Sequence, residues 1–230
     1  MSSMETISRR RLLIKICGIT REEDAEACVQ NGVDLLGVNL YPLSKRFINF
    51  EKAKRWLGKY ENRMERVAVM VRPDFDEVRW IFDSGFIDCV QLHGDESPEF
   101  VAQLLLQNIP VIYAFRLGNP QQSKQQIEEI FEMTCRAFIT DKFDDKSFGG
   151  TGDLIDMDLL KEFAARHNRR GLILAGGLTC HNVISRLDVG EFIGVDVAGG
   201  VESSPGIKSS ESIGKFTAIV HGYKGYSQTP

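Results

Sequence analysis

The sequence is short of four things, and each shortage removes a class of function. It has no excess of basic residues: 28 Lys and Arg face 32 Asp and Glu, for a net charge of −4. That leaves no electrostatic footprint for nucleic acid, so an anionic ligand must be captured by local groups. It has no paired cysteines. Cys17, Cys28, Cys89, Cys135 and Cys180 are odd in number and scattered, without a CxxC pair or a zinc-like spacing. This pattern suits a reduced chain. It has no long apolar run. The opening "MSSMETISRRRLLIKIC" invites a twin-arginine or transit reading, but its apolar stretch is short and holds Lys15, and Gly18, Arg21 and three acids follow. Such a stretch is too short for a signal core or a membrane span. Residues 1–10 are therefore read as a polar tail, and a cytoplasmic chain without a membrane partner is expected. Finally, no low-complexity linker divides the chain.

What is present suits one globular domain over 11–222, with a short tail at 223–230. The 230 residues are 43% hydrophobic and 26% charged, and a chain of this length can bury roughly 70–75% of its unfolded surface. Eight β-rich runs stand out: Leu12–Cys17, Leu35–Leu40, Arg66–Val71, Cys89–Leu92, Pro110–Phe115, Ala137–Asp141, Gly171–Ala175 and Phe192–Val197. Most are near-continuous apolar runs, the signature of strands buried on both faces in a parallel sheet. Helical stretches fall between them. Thr20 with Glu23 predicts a capping box ahead of "EEDAEACVQNG", closed by Gly32. Ser97-Pro98 opens "PEFVAQLLLQN". "SKQQIEEIFEMTC" and "DMDLLKEFAARH" read as the fifth and sixth helices. Thr179 precedes "HNVISRLDVG", and Ser209 or Ser210 precedes "ESIGKFTAIVHG". Eight β-then-α units in one domain predict an α/β fold, a single (β/α)₈ TIM barrel, with an open doubly wound sheet as the rival.

In such a barrel, chemistry belongs at the C-terminal ends of the strands. The first strand ends at Cys17, and Arg46 follows the second. The fourth leads to His93, the sixth to Asp141 and the eighth holds Asp196. Gly176-Gly177 and Gly199-Gly200 follow the seventh and eighth. Each has a plain reading. Cys17 fills a gap as a small hydrophobe or holds a thiol over a pocket; His93 is a turn histidine or a pocket residue; Arg46 and Asp141 could be solvated. Their coincidence at one rim favours function. Gly-rich loops after strands 7 and 8 are where barrels bind phosphate through backbone N–H groups and a helix N-terminus. Ala198-Gly199-Gly200 also leads towards "SSPG" and a short extra helix. A zinc site from Cys180-His181 with His93 or Cys17 is disfavoured, because adjacent ligands at a helix start have poor geometry and a fourth is missing.

The stretches "KICGIT", "YPLSKRFI", "VQLHGDE", "DKFDDKSFGGTG", "LAGGLTCHNV" and "GVDVAGGVESSPGIKS" together resemble the phosphoribosylanthranilate isomerases of tryptophan biosynthesis, in order and across about residues 12–221. The resemblance implies an Amadori rearrangement of N-(5-phosphoribosyl)anthranilate to 1-(2-carboxyphenylamino)-1-deoxyribulose 5-phosphate, without metal or organic cofactor. It implies that Cys17 is the general base, Asp141 the general acid and Arg46 the partner of the anthranilate carboxylate. Asp141 must then hold a proton near neutral pH, and Cys17 must become a thiolate from a thiol whose free pKa is about 8.5. A nearby cation or the start of the first helix would help it ionise.

Several positions depart from the family pattern. Ala198-Gly199 stands where two serines are expected, so hydroxyl contacts to phosphate are lost. Cys180-His181 replaces a proline and an acid, Ile155-Asp156-Met157 replaces Phe-Asp-Trp, and Asn39 needs a hydrogen-bond partner if it points into the barrel. Two rival readings stay open: an isomerase of another aminated sugar phosphate, and a non-catalytic phosphate-ligand barrel. A monomer and a homodimer are equally compatible with the sequence.

Overall fold

The computed structural model describes residues 11–144, 154–168 and 170–225. The tail at 1–10 and the later part of the "DKFDDKSFGGTG" motif lie outside the described residues. The strands are β1 (Leu13–Cys17), β2 (Leu35–Asn39), β3 (Glu65–Met70), β4 (Cys89–Leu92), β5 (Val111–Leu117), β6 (Ala137–Lys142), β7 (Leu172–Leu174) and β8 (Gly194–Val197). They close in sequence order, each parallel to its neighbours, with β8 pairing β1. The sequence runs match these strands to within a few residues.

The helices are α1 (Glu22–Gln30), α2 (Phe50–Leu57), α3 (Phe75–Asp83), α4 (Pro98–Leu106), α5 (Lys124–Phe131), α6 (Met157–Arg166), α7 (Val183–Leu187) and α8 (Ser210–His221). Ser97 caps α4 by accepting from Phe100 N with Pro98 at the first position, and Ser123 caps α5 in a full capping box. Ser209, rather than Ser210, caps α8. Gly32 closes α1 at φ +69°. The capping box expected at Thr20 does not form. Arg21 is the cap residue, with no side-chain cap bond. Thr20 Oγ1 instead donates to Gly206 O at 2.5 Å, so a long-range acceptor wins over the local one. The short extra helix after Gly200 is a single 3₁₀ turn (Gly199–Val201) followed by a small antiparallel hairpin, β9 (Glu202–Ser204) and β10 (Ile207–Lys208).

The strands bury both faces, for different purposes. Outward residues such as Ile14, Ile16, Val90, Tyr113 and Phe115 pack under the helices in one large core. Inward residues at the N-terminal end form a second apolar cluster of Leu35, Val67, Cys89, Ile112, Ala114, Ala137, Ile139, Ile173 and Ala175. This plug is the floor of the site. Above it the inward positions turn polar, because period-2 alternation carries Lys15 and Cys17, Gln91 and His93, Ile139 and Asp141 up the same face of their strands.

Candidate active site

The inward residues at the C-terminal end enclose a cavity of about 500 Å³. Cys17, Arg46, His93, Asp141, Gly176, Gly177, Asp196, Gly199 and Gly200 all line it. Every site residue singled out in the sequence is thus brought to one place. Asn39 also lines it, and its Oδ1 accepts from Tyr41 N at 3.0 Å. Cys180 and His181 are not among the lining residues, and the described residues hold no group of three His, Cys, Asp or Glu able to share a metal.

On the β4–β6 side, Asp141 Oδ1 accepts from Lys142 N at 2.8 Å. Its Oδ2 lies 3.0 Å from His93 Nε2. That contact is close but off the line of a hydrogen bond, and Nε2 has no other partner among the described residues. Gln91 Nε2 lies 3.1 Å from His93 Nδ1. The amide can only donate there, so Nδ1 is the acceptor and the ring proton sits on Nε2, facing Asp141. Gly176 (φ +87°) lies beside the carboxylate; a Cβ there would stand 2.9 Å from Ile155 and 3.3 Å from Asp141 Oδ1. Ile155 closes this wall, while Asp156 caps α6 by accepting from Asp158 N and Leu159 N.

On the β1–β8 side the charges are dense. Lys15, fully buried, donates to Asp196 Oδ2 at 3.0 Å. Arg46 holds Glu202 with both prongs of its guanidinium, Nε to Oε1 at 2.7 Å and Nη2 to Oε2 at 2.8 Å. Its aliphatic stem crosses Gly18 (φ +76°), where a Cβ would stand 2.5 Å from Arg46 Cδ. Lys208 Nζ donates to Cys17 O at 2.7 Å, Ala198 O at 3.1 Å and Glu202 Oε1 at 2.8 Å. Burial alone would drive Glu202 neutral, but Arg46 and Lys208 outweigh it and hold its carboxyl below the usual range. Burial pulls Lys208 down in spite of Glu202.

Cys17 is half-buried and lines the cavity. Burial pushes its thiol up, against the pull of Lys15 and Lys208 and with the push of Asp196. The expected help from a helix start is not there. The N–H groups of Gly18 and Ile19 both bond Gly37 O, at 2.8 and 2.9 Å, and α1 begins only at Glu22.

At the β7–β8 end, Gly176 and Gly177 both have positive φ, and a Cβ on Gly200 would stand 1.9 Å from Leu178 O. The two glycine loops therefore pack directly on each other. The helix after β7 differs from expectation. It is five residues long and starts at Val183 behind Asn182, so loop N–H groups rather than a long helix dipole face this end. Thr179, Ser203 and Ser204 bring hydroxyls to the same wall, next to the position where Ala198-Gly199 lacks them.

The chain matches the model of one family, N-(5'-phosphoribosyl)anthranilate (PRA) isomerase, over residues 14–218. It belongs to the PRA isomerase family. It is 34% identical over 216 residues to the N-(5'-phosphoribosyl)anthranilate isomerase of Syntrophus aciditrophicus, an alignment covering 94% of this chain and 90% of that one. Among solved structures, it is similar to a phosphoribosyl anthranilate isomerase in complex with reduced 1-(o-carboxyphenylamino)-1-deoxyribulose 5-phosphate (TM-score 0.75, 30% identity, 92% and 100% covered). It is likewise similar to monomers generated from the dimeric isomerase of Thermotoga maritima (TM-score 0.75, 31% identity, 92% and 100% covered). PRA isomerase membership makes the cavity the place to seek a general acid and a general base. Three charged groups in or beside it were not singled out from the sequence: Glu202, which lines it, and Lys15 and Lys208, which pair with Asp196 and Glu202 of the lining. Lys15 carried a signal, since it stands two residues before Cys17 in one strand and so shares its face. Glu202 and Lys208 carried none, because only the hairpin fold returns them to the site. No described helix is long and apolar enough to cross a membrane.

Proposed function

We propose that the chain isomerises N-(5'-phosphoribosyl)anthranilate to 1-(2-carboxyphenylamino)-1-deoxyribulose 5-phosphate, with Asp141 as general acid and Cys17 as general base. The observation that carries this reading is that a carboxyl and a thiol face one cavity from strands three apart in the barrel, with glycine loops at one end and a guanidinium at the rim. Asp141 gives its proton to the furanose oxygen as the C1–O bond opens, leaving an iminium between C1 and the anthranilate nitrogen. The Cys17 thiolate then removes the proton from C2, and the electron pair moves to neutralise the iminium. The resulting enol-amine becomes the ketone by tautomerisation. Each proton transfer to a placed group is worth about 10²–10⁴-fold.

The neutral His93, fixed by Gln91, faces the carboxylate that Asp141 becomes after donating. Loop N–H groups of Gly176, Gly177, Gly199 and Gly200 bind the phosphate. Arg46 serves the substrate carboxylate from a guanidinium that Glu202 holds still. Counted together, Lys15, Lys208 and Arg46 face Asp196 and Glu202, three cations against two carboxylates. One surplus positive charge remains for an anionic substrate or a thiolate. The test is the loss of anthranilate-type fluorescence when purified chain meets the substrate. Turnover that disappears in Cys17→Ala and in Asp141→Asn supports the reading. Product binding without turnover in the unaltered chain would make it a binding barrel, and preference for another aminated sugar phosphate would change the substrate.

A further inference from the structure

We propose that Lys15 is the counter-ion of the Cys17 thiolate, and that Asp196 is the tether that keeps Lys15 charged and aimed at it. This goes deeper into the reading of Cys17 as the base and rests on it for its catalytic consequence.

The geometry is that of a built-in device. Lys15 is wholly buried in the barrel interior, where an unpaired ammonium is costly. Its strand neighbour in register on β8 is Asp196, and the two are joined at 3.0 Å. On the other side, Cys17 pairs in register with Gly37 of β2. A Cβ on Gly37 would stand 3.2 Å from Lys15 Nζ and 3.2 Å from Cys17 Sγ. The ammonium and the thiol therefore flank the same glycine, which leaves open the space between them. Period-2 alternation puts both on the inward face of β1. The cluster below the pair is apolar.

The other charged groups around the thiol are Lys208 from β10 and Arg46 from the β2–α2 loop, with Glu202 of β9 between them. Lys208 is committed to Cys17 O, Ala198 O and Glu202, and Arg46 to Glu202. Among the described residues, Lys15 is hydrogen-bonded to Asp196 with the Cys17 thiol beside it. Burial would drive it neutral, but Asp196 and Cys17 outweigh burial and hold it charged. A charged Lys15 cannot accept the thiol proton, which must leave to solvent. Its part is to hold the thiolate, which then takes the C2 proton and returns to thiol. Lys15 and Asp196 are thus positioning residues.

The experiment is the pH dependence of Cys17 alkylation by iodoacetamide in the full chain, read by mass spectrometry on the peptide that carries Cys17. It needs no substrate. Lys15→Met should move the midpoint to higher pH. Alkylation near pH 8 should then slow by about tenfold for every pH unit that the midpoint rises. Lys15→Met/Asp196→Leu removes the cation and its tether together, leaving no orphan carboxylate. It should alkylate at a rate between the unaltered chain and Lys15→Met, because the opposing charge of Asp196 goes too. A role in packing alone predicts the reverse, since a loosened barrel exposes the thiol and speeds alkylation. If Lys15→Met does not fold, the double variant decides. Alkylation at or above the rate of the unaltered chain in either variant overturns the proposal. Slowed alkylation with kcat unchanged would uphold the counter-ion and remove Cys17 as the base.

Discussion

Cys17 stands among Lys15, Lys208 and Arg46, all engaged by carboxylates or carbonyls, whereas Asp141 has the His93 imidazole beside it and buried polar atoms left unmatched around it among the described residues. His93 Nε2 and Gln91 Oε1 are both without hydrogen-bond partners among the described residues. The two sides of one cavity thus follow opposite designs. The Cys17 side is a tight net of charges, Lys15 with Asp196 and Arg46 and Lys208 with Glu202. The Asp141 side is sparser among the described residues, where the carboxylate has the His93 imidazole 3.0 Å away and the N–H of Lys142. The difference teaches that two ionisable groups can share a cavity and still be given different surroundings, which is what separates the tasks of paired titratable groups.

The harshest way to break the comparison is to delete either reacting group. Cys17→Ala and Asp141→Asn should each lower kcat by about 10²–10⁴-fold, with product affinity and circular dichroism close to those of the unaltered chain. Near-normal turnover in either variant would remove that residue's role and the comparison with it.

Arg46→Ala comes next. Hydrogen bonds to charged groups contribute about 1.5–3 kcal/mol, so KM should rise roughly 10–100-fold while kcat changes less. Arg46→Lys should recover only part of this, because an ammonium cannot hold Glu202 with two prongs. A kcat loss equal to the KM rise would place Arg46 in the reaction and not in binding.

The pH profile separates the two sides without mutation. Burial raises the Cys17 thiol above its ordinary value, so its active thiolate is scarce at neutral pH. Below that raised value kcat/KM should climb with pH by about tenfold per pH unit, levelling only on the alkaline side of an ordinary thiol. A plateau already reached at pH 7 would show that the cations win over burial. Linkage gives the matching stability effect: a raised folded value stabilises below the unfolded pKa, and that stability is lost as pH rises through the folded one.

How much of this could be read in the sequence follows the range of the forces. The eight strands were legible because burial on both faces leaves apolar runs, and Cys17, Asp141 and the glycine pairs because they end such runs. α2 and α3 were not assigned, although Asn49 and Asp74 cap them. α1 and α5 are as short but were marked by a Ser or Thr with Glu or Gln three residues on, a pattern that Asn49 with Lys52 lacks. Thr20 misled because the carbonyl of Gly206 lies far off in sequence. Lys15 looked like an interruption in a strand, and only closure of β8 onto β1 gives it Asp196.

The mildest test is Gln91→Leu, on the Asp141 side. In the native site Gln91 Nε2 donates to His93 Nδ1 and fixes the ring proton on Nε2. Leucine is close in size and cannot donate, so the proton is free to move to Nδ1, leaving a lone pair towards the Asp141 carboxylate. Losing one such hydrogen bond is worth about 1 kcal/mol, so kcat should fall about fivefold. Stability should fall as well. His93 Nδ1 loses its partner, and a buried group left unpaired costs about 1–3 kcal/mol, offset in part because Gln91 Oε1, buried without a partner among the described residues, goes too. Nitrogen NMR of the imidazole should show the Nε2–H tautomer in the unaltered chain and a mixture in the variant. A fall in melting temperature with kcat unchanged would mean that Gln91 serves stability alone, and that Asp141 needs no second residue to orient the histidine beside it.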